Sequence, residues 1–320
     1  MPKRAGTSRY GIAEWFGMNP AKLNTRERSH LYDHSQKGPL SRLPCPFQQT
    51  LLPGATCSKA GGVCSIRKYQ ELNTGGARAF DEEIATVCPN RFLAEGDLLR
   101  WAGEILLQTP HPIVVKEVPF LAKVGTSDSD ANEDGNAAGR AAGRIDWVLV
   151  HPDVKAPLRW CAFETQAVYF SGKAMNSEFE SWKNESQRSI PFPNETRRPD
   201  YRSSGPKRLA PQLRVKVPEL RNWGAKTCVL VDRYFFNQMG PLQSVVGSGG
   251  NKLANSEVVW LVADYNMSGQ MIRGNVHYSR LEDSIAALNA TESIGKDKFE
   301  KSLLADIKDT SRLGKKVFRL

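Results

Sequence analysis

Two β-prone runs, RIDWVLV at 144–150 and RWCAFETQAVYF at 159–170, flank the short connector HPDVKAPL. Runs of this length around a proline-bearing connector predict an antiparallel hairpin. Each run carries one acid among apolar neighbours. Alternation along a strand sends residues i and i+2 to one face, so Asp146 shares a face with Val148 and Val150, and Glu164 with Gln166. With the turn centred near Lys155, Asp146 stands opposite Glu164. Directly opposed residues have Cβ atoms about 5 Å apart. Two carboxylates that close repel unless a cation lies between them. Mg²⁺ suits such a pair, because it prefers hard oxygen ligands and keeps several waters, one of which can attack phosphorus.

Other segments fit around this hairpin. FLAEGDLLRWAGEILLQ places Leu98, Leu99, Ala102, Ile105 and Leu106 at helical spacing, and HPIVVKEVPFLAK reads as a strand. If that strand pairs with the hairpin, Glu117 reaches the same acidic face as a third carboxylate, with Glu104 a weaker supporting candidate. KTCVLVDRYFF and EVVWLVADY are further strand-like runs, and LEDSIAALNA and KDKFEKSLLADIKD are amphipathic helices. The Gly/Ser/Asp/Asn-rich residues 125–143 predict a mobile loop. YGIAEWFG near the start reads as a short helix. The expected class is mixed α/β around a central sheet.

Four of the six cysteines, Cys45, Cys57, Cys64 and Cys88, fall in a Gly/Pro-punctuated stretch poor in apolar residues. In a reducing compartment such a cluster reads as metal thiolates rather than disulfides, and the metal would supply much of the segment's folding free energy. The spacings C-x11-C, C-x6-C and C-x23-C depart from paired C-x2-C, yet four thiolates suit a closed structural site for zinc or iron. Four free buried thiols are the alternative. Cys161 and Cys228 read as small buried hydrophobes.

The chain carries 44 Lys and Arg against 34 Asp and Glu, a net charge of +10, which favours a polyanionic partner. Much of that excess lies in NETRRPDYRSSGPKRLAPQL, read as a Pro/Gly-interrupted loop. Arg197, Arg198, Arg202, Ser203, Lys207 and Arg208 are its candidates for base reading and phosphate clamping, against the alternative of a solvated loop. Apolar runs are too short to span a bilayer and no signal-peptide pattern opens the chain, so a cytoplasmic location is expected.

The order YGIAEWFG, CPF…C…GGVCSI…VCPNRF, RIDWVLV…AFETQAVY, RRPDYRSSGPKRLAPQLRVKVPELRNWG resembles the NotI family of bacterial type II restriction endonucleases over roughly residues 10–235. The resemblance implies a PD-(D/E)xK nuclease core with a mixed central sheet flanked by helices, in which glutamine replaces the usual lysine. Asp146, Glu164 and Gln166 match the catalytic positions, with Asp146 and Glu164 as Mg²⁺ ligands. It implies a structural iron ion on Cys45, Cys57, Cys64 and Cys88, where chemistry alone favours zinc. It also implies a homodimer that cuts GC-rich palindromic double-stranded DNA to leave 5′ overhangs, with no small-molecule cofactor. The expected organisation is a cysteine-bearing amino-terminal region, 1–92, followed by the endonuclease domain, 93–320. A non-catalytic DNA-binding protein and a monomeric nicking nuclease are the rival readings.

Overall fold

YGIAEWFG forms a strand, not a helix. In the computed structural model, which describes residues 7–37, 43–122, 141–172, 174–185, 189–290 and 295–318, it lies on β1 (Ser8–Trp15). β1 pairs antiparallel with β2 (Val63–Glu71), and the register shifts between Ile12 and Trp15. That bulge turns two residues three apart into one core, and so imitates helical spacing in the sequence. Both side chains are fully buried. The other edge of β2 pairs with β3 (Ala77–Thr86), and α1 (Thr25–Lys37) lies between β1 and β2 in the chain.

The larger sheet begins after α2 (Asp97–Leu107). Its strands are β4 (Ile113–Ala122), β5 (Ala141–Val150), β6 (Trp160–Thr165), β9 (Lys226–Asp232), β10 (Val258–Tyr265) and β11 (Met271–Ser279). The spatial order is β11-β10-β9-β6-β5-β4, with β6, β9 and β10 mutually parallel and the remaining pairs antiparallel. The mixed central sheet is thus as expected. Between β6 and β9 the chain makes a two-stranded ribbon, β7 (Tyr169–Ser171) against β8 (Arg198–Asp200), separated by α3 (Asn176–Asn184). It then runs through α4 (Tyr201–Ser204), a π-helical turn at Gly205–Leu209 and α5 (Ala210–Asn222). α6 (Arg233–Asn237), α7 (Gly249–Asn255) and α8 (Leu281–Asn289) complete this part. Of the Gly/Ser/Asp/Asn-rich stretch 125–143, residues 125–140 lie outside the described residues, and the last three form the start of β5.

Helices cover both faces of the sheet. Leu98, Leu99, Trp101 and Ala102 of α2 pack with Trp147, Leu149, Cys161, Phe163, Cys228 and Leu230. On the opposite face, Leu213 and Val217 of α5 pack with Val229, Val231 and Trp260, while Leu220 meets Val148, Val150 and Ala162. The cysteine region joins this second core: Ile12, Trp15, Cys45, Cys57, Cys64 and Ile66 belong to the same buried cluster as Val229 and Trp260. Backbone ties reinforce the join. Thr86 donates its N–H to Asp232 and accepts the Val168 N–H at 2.9 Å. The compact units therefore divide at 289/290, not at the 92/93 boundary that composition suggests. The segment 45–92 is not poor in buried apolar groups once β1, α5 and β9 are counted.

The second unit, residues 290–320, contains α9 (Lys296–Lys308), with Arg312 and Lys316 on Asp306. Among the described residues no helix is long and apolar enough to cross a membrane.

Candidate active site

Trp147 pairs with Phe163 and Val148 with Ala162, so the next step of the register sets Asp146 across from Glu164. The two acids lie on the face covered by α5, beyond Val148 and Ala162, at the end of the hairpin away from its turn. Asp146 is half-buried and accepts a long 3.4 Å hydrogen bond from the Thr165 N–H. Glu164 is 1% exposed. Its Oε1 accepts a hydrogen bond from Lys216 Nζ at 2.6 Å, while Oε2 is buried and has no hydrogen-bond partner among the described residues. Burial pushes the Glu164 pKa up to about 7. Repulsion from Asp146 adds to the rise, and Lys216 opposes it.

Lys216 was not singled out from the sequence. It comes from α5, 52 positions along the chain from Glu164. A signal was present in LRVKVPEL: Leu213, Val217 and Leu220 mark an apolar helix face, and Lys216 lies on it. A lysine on a buried face needs a buried anion.

Gln166 lies just past β6. Its backbone N–H still reaches the Leu230 carbonyl at 3.0 Å, and its side-chain Nε2 donates to the Ala167 carbonyl at 2.6 Å. Its amide oxygen remains as an acceptor. Glu117 is across from Asp146 in the β4–β5 register, but it adopts φ 52°. That left-handed kink in mid-strand leaves its carboxylate half-exposed on Lys116 Nζ at 2.9 Å and Arg144 at 3.5 Å. Its pKa is held down by the hydrogen bond and charge of Lys116. The expected third carboxylate is therefore engaged by surface cations. Glu104 is likewise taken, by Arg273 at 2.7 Å.

From Tyr201 onward the basic segment is helical, which corrects the expected loop there. Asp200 caps α4 by accepting the Ser203 N–H at 3.0 Å, and the π turn accommodates Pro206 without breaking the run into α5. Arg197 is a further correction. It is 3% exposed, its guanidinium pairs with buried Glu178 and donates to the Ala174 carbonyl, and so it braces α3 rather than facing a ligand. Ser203 spends its hydroxyl on Asp200 at 2.7 Å. Arg198, Arg202, Lys207 and Arg208 are exposed, and Arg208 stacks over the Tyr169 ring at 3.8 Å. Tyr169 follows the catalytic-strand candidates directly, and its N–H is held by Ser204 Oγ at 2.7 Å. Chain connectivity thus runs from Glu164 and Gln166 through β7 to the exposed cations, and along α5 back to Glu164.

Cys45, Cys57, Cys64 and Cys88 are all buried and free. Burial raises the pKa of Cys57, Cys64 and Cys88, and each also feels at least one of the other three cysteines. Two of the thiols are set against backbone carbonyls, Cys57 Sγ donating to Lys59 at 3.8 Å and Cys64 Sγ to Gly62 at 3.5 Å. The donor chemistry suits a soft metal. Even so, no three His, Cys, Asp or Glu side chains among the described residues are arranged to hold one metal ion.

Comparison with known families defines the class first: restriction endonucleases. The matching family is described as Restriction endonuclease NotI, over residues 30–277, well over half of the chain, and the chain belongs to that family. No curated protein matches it.

Proposed function

We propose that this member of the family is a type II restriction endonuclease whose active centre is Asp146, Glu164 and Gln166. The observation that carries this reading is the opposed carboxylate pair with one buried oxygen, Glu164 Oε2, left without a partner. A buried orphan acceptor beside a second carboxylate suits a hard divalent cation, and Asp146 and Glu164 are the residues to hold it. When bound, Mg²⁺ supplies Lewis acidity and acidifies a coordinated water. Gln166 orients the attacking water by accepting its hydrogen bond at the amide oxygen. It does not act as a base, because an amide does not titrate. Water adds to phosphorus and the 3′ oxygen leaves, giving 5′-phosphate and 3′-hydroxyl ends.

Arg198, Arg202, Lys207 and Arg208 clamp double-stranded DNA in this reading, supported by their exposure and by their connection to the carboxylate strand. The target is a GC-rich palindrome cut to 5′ overhangs by a homodimer, whose two-fold axis would set one site on each strand. The four clustered cysteines hold a structural iron ion, with zinc the alternative. Their support is shared burial and the charge each feels from the others.

The deciding experiment incubates unmethylated genomic DNA with the protein and Mg²⁺ and sequences the fragment ends. Discrete palindromic ends are expected. Intact DNA across many metals would favour a non-catalytic DNA-binding protein, and single-strand nicks a monomeric nickase. Elemental analysis of the purified protein separates iron, zinc and no metal.

A further inference from the structure

Lys216 is the one buried lysine among the described residues, 7% exposed. Burying an ammonium is costly unless an anion compensates it, and the compensation is a single contact, Nζ to Glu164 Oε1 at 2.6 Å. A salt bridge built only to pin α5 to the sheet has no reason to leave the other carboxylate oxygen buried and unpartnered. Here Glu164 Oε2 is left so, with Asp146 the neighbouring acid. The helix is already pinned without the ion pair, because Leu213, Val217 and Leu220 on the same face are all buried. Residue 166 brings no charge to the pair, and its side-chain N–H is turned to the Ala167 carbonyl.

We propose that Lys216 is a positioning residue of the carboxylate pair: from α5 it supplies the positive charge that residue 166 lacks. It grips Glu164 through Oε1, so that Oε2 and Asp146 are left to take a divalent cation. This rests on the nuclease reading above. The charge thus comes from a helix that crosses the sheet, not from the strand that bears the glutamate.

The test measures Ca²⁺ binding by calorimetry, alongside Mg²⁺-dependent cleavage, in the full chain. Lys216→Met is expected to weaken Ca²⁺ binding and cleavage by about 10- to 100-fold each, the usual cost of losing a group that orients a metal ligand. Lys216→Arg should retain most of both. The discriminating variant is Gln166→Lys in the Lys216→Met background, which should recover at least part of both losses, because it returns a cation to the same face. The proposal is overturned if Lys216→Met keeps wild-type Ca²⁺ affinity and cleavage, or if neither Lys216→Arg nor the relocated lysine restores them. Should Lys216→Met not fold, the relocated-lysine variant decides alone: folded and Ca²⁺-binding supports the proposal, unfolded or non-binding overturns it. Failure of the nuclease reading looks different. Wild-type protein would then neither cut DNA nor bind Ca²⁺ in a manner sensitive to Asp146→Ala.

Discussion

Asp146 and Glu164 do different work although they face one another. Glu164 is buried and gripped by Lys216; Asp146 is half-buried and holds only a 3.4 Å contact from the Thr165 N–H. Asp146→Ala should abolish cleavage while leaving DNA binding in a gel-shift assay intact, since in the proposed centre it removes a cation ligand and no basic surface. Gln166→Ala should reduce cleavage less than loss of either carboxylate, because in the proposed centre the amide only orients water. Glu117→Ala should reduce it least, its carboxylate being occupied by Lys116 and Arg144. Steady-state cleavage rates rank the three, and a Glu117 effect equal to that of Asp146 would return it to the centre. The carboxylates were legible because strand parity is a local rule. Lys216 and Arg197 were not, because a cation's role depends on which anion the fold sets beside it. The sequence placed Arg197 in a basic run; the fold placed Glu178 against it.

Elements separate cations that brace from cations that bind. Arg197 ties α3 to the segment before β8 through buried Glu178. Breaking a buried pair leaves one uncompensated charge, so Arg197→Ala should destabilise by about 3–5 kcal/mol in urea unfolding. Lys207→Ala and Arg208→Ala should leave stability nearly unchanged but weaken DNA binding, each lowering the slope of log affinity against log salt by about 1. A second effect belongs to β11. His277 stacks on Phe236 with ring centroids 4.5 Å apart, and its Nε2 is buried without a partner. Burial lowers its pKa below the ordinary 6.5. The unfolded chain then binds the proton more tightly, so this contribution to stability is complete above about 6.5 and is lost as pH falls through the folded value. His277→Phe should flatten the acid-side fall in urea midpoint between about pH 8 and pH 5. The helical basic segment escaped sequence reading because Gly205 and Pro206 signal a loop, and only the Asp200 cap and the π turn reconcile them with a helix.

Across the molecule, the cysteine region and the larger sheet belong to one compact unit, residues 1–289. Composition alone reads 45–92 as a small module in which a metal supplies much of the folding free energy, because the segment has few apolar residues of its own. In the fold, β1–β3 bury Ile12, Trp15 and Ile66 in the cluster that holds Val229 and Trp260, and Thr86 bonds both Asp232 and the backbone just beyond Gln166. Two consequences follow for metal removal. First, a metal bound by Cys45, Cys57, Cys64 and Cys88 stabilises the whole unit by linkage, not a detachable part. Chelation, or Cys64→Ser, should therefore lower the melting temperature of residues 1–289 in one cooperative calorimetric transition. Two transitions, with the sheet melting at its original temperature, would restore the separable module. Second, the β3 end is bonded just beyond β6, which bears Glu164, so perturbing the cysteines should be felt at Glu164. If the proposed structural metal is present, its loss should lower cleavage even under conditions where the protein stays folded by circular dichroism, whereas an effect on stability alone would leave the folded fraction fully active.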